Sequence, residues 1–106
     1  MAPHLLWAEI GNTLWKRHRR REASVEEVRG MLADVRRLPV VTFAHRPLLP
    51  AAFDLAISLD QTVYDCLYLA LAEARNSVMV TADRRFHDAV SHSVWTDRIL
   101  WIEDVT

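Results

Sequence analysis

The stretch Tyr64-Asp65-Cys66-Leu67-Tyr68-Leu69-Ala70-Leu71-Ala72 decides how the rest of the chain is read. Val63, Leu67, Ala70, Leu71 and Ala74 recur at helical spacing, and Tyr64, Tyr68 and Leu69 widen the apolar face. A face that broad predicts a helix over 63–74, buried on most sides. Thr62 precedes it and Asp65 follows three residues later, the pattern of a capping box with Asp at N3. Asn76-Ser77 turns the chain, and Val78-Met79-Val80-Thr81 is a continuous apolar run typical of a central parallel strand. Asp83 comes directly after it and reads as the N-cap of a short helix over 84–90, with Phe86 and Val90 inward.

Working outward, residues 4–20 read as a helix, with Pro3 suited to its first turn and Leu6, Ile10 and Leu14 on one side. Glu9 and Asn12 lie three apart on a narrow polar face flanked by leucine and tryptophan. The helix runs into Lys16-Arg17-His18-Arg19-Arg20-Arg21, which holds five of the chain's thirteen Lys and Arg residues. Ser24 and Glu27 form a capping box for a helix reaching about Leu38, with Val25, Val28, Leu32 and Val35 as its buried stripe. Pro39 stops it, and Val40-Val41-Thr42-Phe43 is a short strand. A helix over 49–59 with Phe53 and Ile57 inward, the turn Asp60-Gln61 and a last strand at Ile99-Leu100-Trp101-Ile102 complete the order. Helices alternating with strands predict an α/β fold with a short parallel sheet. Three strands for five helices is a poor ratio, so strands are missing or supplied by another chain.

The chain has 106 residues, which predicts a single domain over 1–106. It is 51% hydrophobic with a formal net charge of -1, so any nucleic-acid contact must come from a local patch. The run at 16–21 is the basic patch, although such a run is also an ordinary solvated helix end, since cations suit a helix C-terminus. The single cysteine, Cys66, excludes an internal disulfide, reads as a small core residue and predicts a cytoplasmic setting. No apolar run is long enough to span a bilayer. Two glycines, Gly11 and Gly30, cannot build a phosphate-cradling glycine-rich loop.

Asp83 stands at the carboxyl end of a strand, where ligands collect in α/β sheets, and Asp65 opens the helix that leads into that strand. Oxygen donors of this kind suit Mg²⁺ or Mn²⁺, and the histidines at 4, 18, 45, 87 and 92 form no zinc pattern. Singly, each acid also has a structural account: Asp65 as a capping-box member, Asp83 as an N-cap, Glu9 as a surface acid.

A family resemblance bears on that choice. Leu5-Leu6-Trp7-Ala8-Glu9-Ile10-Gly11-Asn12-Thr13-Leu14-Trp15 resembles the second-acid helix of PIN-domain proteins of the VapC toxin type. Thr62 to Ala72 resembles their third-acid helix, and Val80-Thr81-Ala82-Asp83-Arg84-Arg85-Phe86 their fourth-acid strand end. The resemblance implies a three-layer α/β/α PIN-like fold and a metal-dependent ribonuclease. Glu9, Asp65 and Asp83 become catalytic metal ligands for Mg²⁺ or Mn²⁺, with Asn12 and Thr81 as supporting polar groups. Lys16, Arg17, Arg19, Arg20, Arg84 and Arg85 become contacts for an RNA substrate. An antitoxin protein and a second copy of the chain are the implied partners. The family's first strand, which bears its first acid, has no counterpart here, so the resemblance implies a domain truncated at its N-terminus. The alternative expectation is a catalytically inactive PIN-derived module for dimerisation or antitoxin binding.

Overall fold

The computed structural model describes residues 1–105. The chain divides into two compact units, Met1–Phe43 and the remainder from Ala44.

In the first unit a two-residue strand β1 (Ala2–Pro3) leads into helix α1 (Leu5–Arg19), then helix α2 (Val25–Arg36) and strand β2 (Thr42–Phe43). The strands pair in parallel, Ala2 with Thr42 and Pro3 with Phe43. Pro3, expected in the first turn of a helix, is therefore a buried strand residue. The ladder shows why this is tolerated: the donors are the N–H groups of Ala2, to the Val41 carbonyl at 3.0 Å, and of His4, to the Phe43 carbonyl at 2.7 Å. Pro3 sits between them, where no donor is required.

Ser24 caps α2 as expected. Its hydroxyl accepts from the Glu27 N–H at 3.1 Å, and the Glu27 carboxylate accepts from the Ser24 N–H at 3.2 Å. The expected buried stripe of α2 is different in the structure: Val25 and Leu32 are each 36% exposed, and no α2 residue is fully buried. Within its unit α2 packs on α1, and a pair of helices covers only part of a stripe that wide.

The second unit opens with a 3₁₀ turn (Arg46–Leu48) and a helical hairpin of α3 (Leu49–Leu59) and α4 (Val63–Ala74). Asp60 ends α3 in the left-handed region (φ 53°), a conformation that Asp adopts more readily than most residues. Next come strand β3 (Met79–Thr81), helix α5 (Arg84–Ser91) and strand β4 (Ile99–Trp101). β3 and β4 pair in parallel with Met79 opposite Ile99 and Thr81 opposite Trp101. Parallel pairing and helices between strands are those of the expected α/β fold, carried by two separate two-stranded ladders. The expectation of a central strand at 78–81 meets a different surrounding: β3 has β4 as its hydrogen-bonded neighbour, and Val80 is 47% exposed.

Burial in this unit follows the sequence on α4, where Cys66, Leu67, Leu69, Ala70, Leu71 and Ala72 are all buried. On α5, Phe86 and Val90 are fully buried, as their spacing requires. On α3 the reading is reversed. Ala52 and Leu55 face inward, while Phe53 and Ile57, expected in the core, are exposed. The small Ala52 lets α3 approach α4 closely, and that choice of face turns the large residues outward.

Two substitutions separate these faces. Phe86→Ala is expected to destabilise the fold by about 3–5 kcal/mol, as deletion of a buried aromatic ring does. Ile57→Ala is expected to change stability by less than about 0.5–1 kcal/mol. Urea denaturation of the two variants measures both.

Candidate metal centre

Asp65 and Asp83 line one open cavity of about 390 Å³, together with Asp60, Gln61, Thr62 and Arg85. All belong to the second unit. Asp65 arrives from the first turn of α4 and Asp83 from the end of β3, where the chain enters α5.

Local bonding fixes both acids. Thr62 caps α4 by accepting the Asp65 N–H at 3.2 Å. Its hydroxyl also donates to Asp65 Oδ2 at 3.0 Å. This departs from the expected capping box, in which the N3 carboxylate would accept the N-cap backbone N–H. The Asp65 carboxylate is thus bonded to a side-chain hydroxyl instead of closing the helix end. Asp83 is a true N-cap, with Oδ1 accepting the Phe86 N–H at 3.2 Å. Its own N–H donates to Thr81 Oγ1 at 3.1 Å, and Thr81 is buried. Thr81 therefore holds the turn that carries Asp83 into the cavity.

The electrostatics agree with the geometry. Burial raises the Asp65 pKa above its ordinary value; the Thr62 hydrogen bond opposes the rise, and the negative charge of Asp83 adds to it. Burial and then the Asp65 charge push the neighbouring Cys66 thiol up to about 11. Cys66 is fully buried, which fits a core residue and no nucleophilic role.

The other expected site residues are distributed as follows. Glu9 and Asn12 stand on α1 in the first unit, Glu9 partly exposed and Asn12 exposed. Lys16, Arg17, Arg19 and Arg20 occupy the exposed C-terminal end of the same helix. Arg17 faces Glu22 at 3.9 Å. Arg84 and Arg85, adjacent in sequence, diverge: Arg85 lines the acid cavity, whereas the Arg84 guanidinium lies 3.8 Å from the Trp101 ring centroid. Among the described residues, no three His, Cys, Asp or Glu side chains gather as a ligand set. Asp60 and Gln61 line the cavity although they read as a plain turn. Their spacing carries no signal, and only the hairpin between α3 and α4 brings them there.

The fold and this strand-end acid pair define an α/β protein with a carboxylate-lined cavity. The family model described as PIN domain matches residues 1–91, and the chain belongs to the PIN domain family. Ribonuclease VapC3 of Pyrobaculum aerophilum is 37% identical over 81 residues, covering 73% of this chain and 60% of that protein. Ribonuclease VapC9 of Mycobacterium tuberculosis is 35% identical over 86 residues, covering 81% and 66%. Ribonuclease VapC1 of the same organism is 36% identical over 84 residues, covering 79% and 62%. The chain thus spans roughly three-fifths to two-thirds of the length of these relatives. No solved structure matches. No helix among the described residues is long and apolar enough to cross a membrane.

The raised Asp65 pKa gives a signed prediction. The folded state binds this proton more tightly than the unfolded state does, so the acid favours folding at low pH. That advantage is lost as pH rises from the unfolded value of 3.8 through the folded one. Above that window the ionised carboxylate opposes folding. Asp65→Asn, which can still accept the Thr62 hydroxyl, is expected to raise the melting temperature of metal-free protein at pH 7 and to gain nothing near pH 3. Thermal melts at the two pH values in the presence of a chelator measure the difference.

Proposed function

We propose that this chain carries a divalent-metal centre for RNA phosphodiester hydrolysis, with Asp65 and Asp83 as ligands. The observation that carries the proposal is the convergence of Asp65 and Asp83 on one cavity at the carboxyl end of β3. The donor set fits the ion. Mg²⁺ is commonly held by one or two carboxylates and retains waters or phosphate oxygens elsewhere in its shell, and Mn²⁺ accepts the same oxygen ligands. The cavity offers carboxylate, hydroxyl and amide oxygens, with no thiol or imidazole among its lining residues.

Bound there, a divalent ion would supply Lewis acidity toward a phosphoryl oxygen and lower the pKa of an attacking water. The rest is done by the chain. The Thr62 hydroxyl orients the Asp65 carboxylate, while Thr81 and the Phe86 N–H fix the backbone and side chain of Asp83. Arg85 places a guanidinium in the same cavity, where it can pair with a phosphate oxygen. The basic end of α1, with Lys16, Arg17, Arg19 and Arg20, offers further phosphate contacts, as does Arg84. The proposed partners are RNA, an antitoxin protein and a second copy of the chain, in a cytoplasmic setting.

A second reading has its own observation. Leu49, Phe53 and Ile57 recur every four residues on α3 and are 48%, 54% and 68% exposed. An apolar stripe of that kind favours a module whose remaining role is dimerisation or antitoxin binding. Cleavage of single-stranded RNA in Mn²⁺ separates the readings. Asn is as good an N-cap as Asp, so Asp83→Asn leaves α5 formed while weakening the ligand. The nuclease reading expects Asp83→Asn to lose at least about 90% of the metal-dependent rate, in line with removal of a group essential to the step. Equal background activity in both proteins would favour the binding module.

A further inference from the structure

The metal reading makes no use of Trp15, yet this large aromatic side chain is 51% exposed near the end of α1. Trp15 also borders the cleft between α1 and α2 with Val25, Val28 and Leu32, and its remaining surface is open to solvent. Trp15 lines a cavity of about 280 Å³ with Lys16, Arg19 and Arg20. The Arg19 guanidinium lies 5.3 Å from the Trp15 ring centroid. Lys16 and Arg20 are four residues apart, so they lie on one side of the helix about 6 Å apart along its axis. Among the described residues no ion pair engages Lys16, Arg19 or Arg20; the acid of this segment, Glu22, faces Arg17. The patch therefore combines an aromatic face with three cations that no carboxylate neutralises.

We propose that Trp15 is a stacking platform for one base of single-stranded RNA, with Lys16 and Arg20 holding the flanking phosphates. The occupant must present both a flat π face and negative charge. A nucleotide in a single strand does so, whereas bases in a duplex are already stacked on one another. Arg19, held against the same ring, adds a planar cation on which a neighbouring base or phosphate can rest. This deepens the RNA reading by assigning Trp15 a place in holding the strand, and it rests on RNA being the substrate.

The test is equilibrium binding of a short fluorescent oligouridine to the full chain in chelator, so that no cleavage occurs. Trp15→Ala is expected to weaken binding about 5- to 100-fold without changing the slope of log affinity against log salt, because stacking releases no counterions. Trp15→Phe should retain most of the affinity. Lys16→Ala or Arg20→Ala should lower the salt slope by about 0.7 each. An abasic strand of the same length should bind wild-type protein as weakly as oligouridine binds Trp15→Ala. Equal binding of the abasic strand and oligouridine would overturn the proposal, as would wild-type affinity in Trp15→Ala. Displacement of oligouridine by an acidic peptide at lower concentration than by unlabelled RNA would assign the patch to a protein partner and overturn it too. If Trp15→Ala fails to fold, Trp15→Phe and the abasic strand still decide. Base-dependent binding without metal-dependent cleavage would count against the nuclease centre alone; cleavage with base-independent binding would count against Trp15 alone.

Discussion

A carboxylate one turn into the most buried helix must be held by something, and here it is a single hydroxyl. Thr62 accepts the Asp65 N–H, so its own proton is left to point at Asp65 Oδ2. Both the start of α4 and the orientation of the acid depend on that one side chain. Helix capping needs only the first of these bonds. The second leaves a half-buried acid whose charge is made costlier by Asp83, a poor arrangement for stability and a suitable one for a cation. Such a conflict between burial and charge is common at functional sites.

Asp83 reaches the same result by another route. It is an N-cap in full, and nothing in its bonding to Phe86 sets it apart from any other helix start. Its position gives it significance. Buried Thr81 fixes the turn after β3, so the cap falls at the carboxyl end of a parallel strand beside Asp65. The structural role and the proposed ligand role therefore fall on one carboxylate.

Much of this was legible in the sequence, for physical reasons. Helix α4 was readable because strong periodicity and its N-terminal residue Thr62 coincide, and α5 because Asp83 caps a run with Phe86 and Val90 one turn apart. What was not legible depended on neighbours. Pro3 reads as a helix start until β2 is seen to pair with it and leave its missing donor unneeded. Phe53 and Ile57 look like core residues by type, yet Ala52 sets the contact face of α3. Arg84 and Arg85 are indistinguishable in sequence; only the position of Trp101 separates them. Asp60 and Gln61 become cavity residues solely through the α3–α4 hairpin. For the site, the motif pattern pointed to Glu9, Asp65 and Asp83, and the structure brings Asp65 and Asp83 to one cavity while Glu9 stands in the other unit.

The proposed binding of a divalent ion by the Asp65–Asp83 pair is open to direct measurement. Titration of Mn²⁺ into the chain, followed by water-proton relaxation, tests it without requiring turnover. Saturable Mn²⁺ binding to wild-type protein, competed by Mg²⁺ and lost in Asp65→Asn, is the result expected. Mn²⁺ binding that is unchanged in Asp65→Asn, or absent from folded wild-type protein, would contradict it.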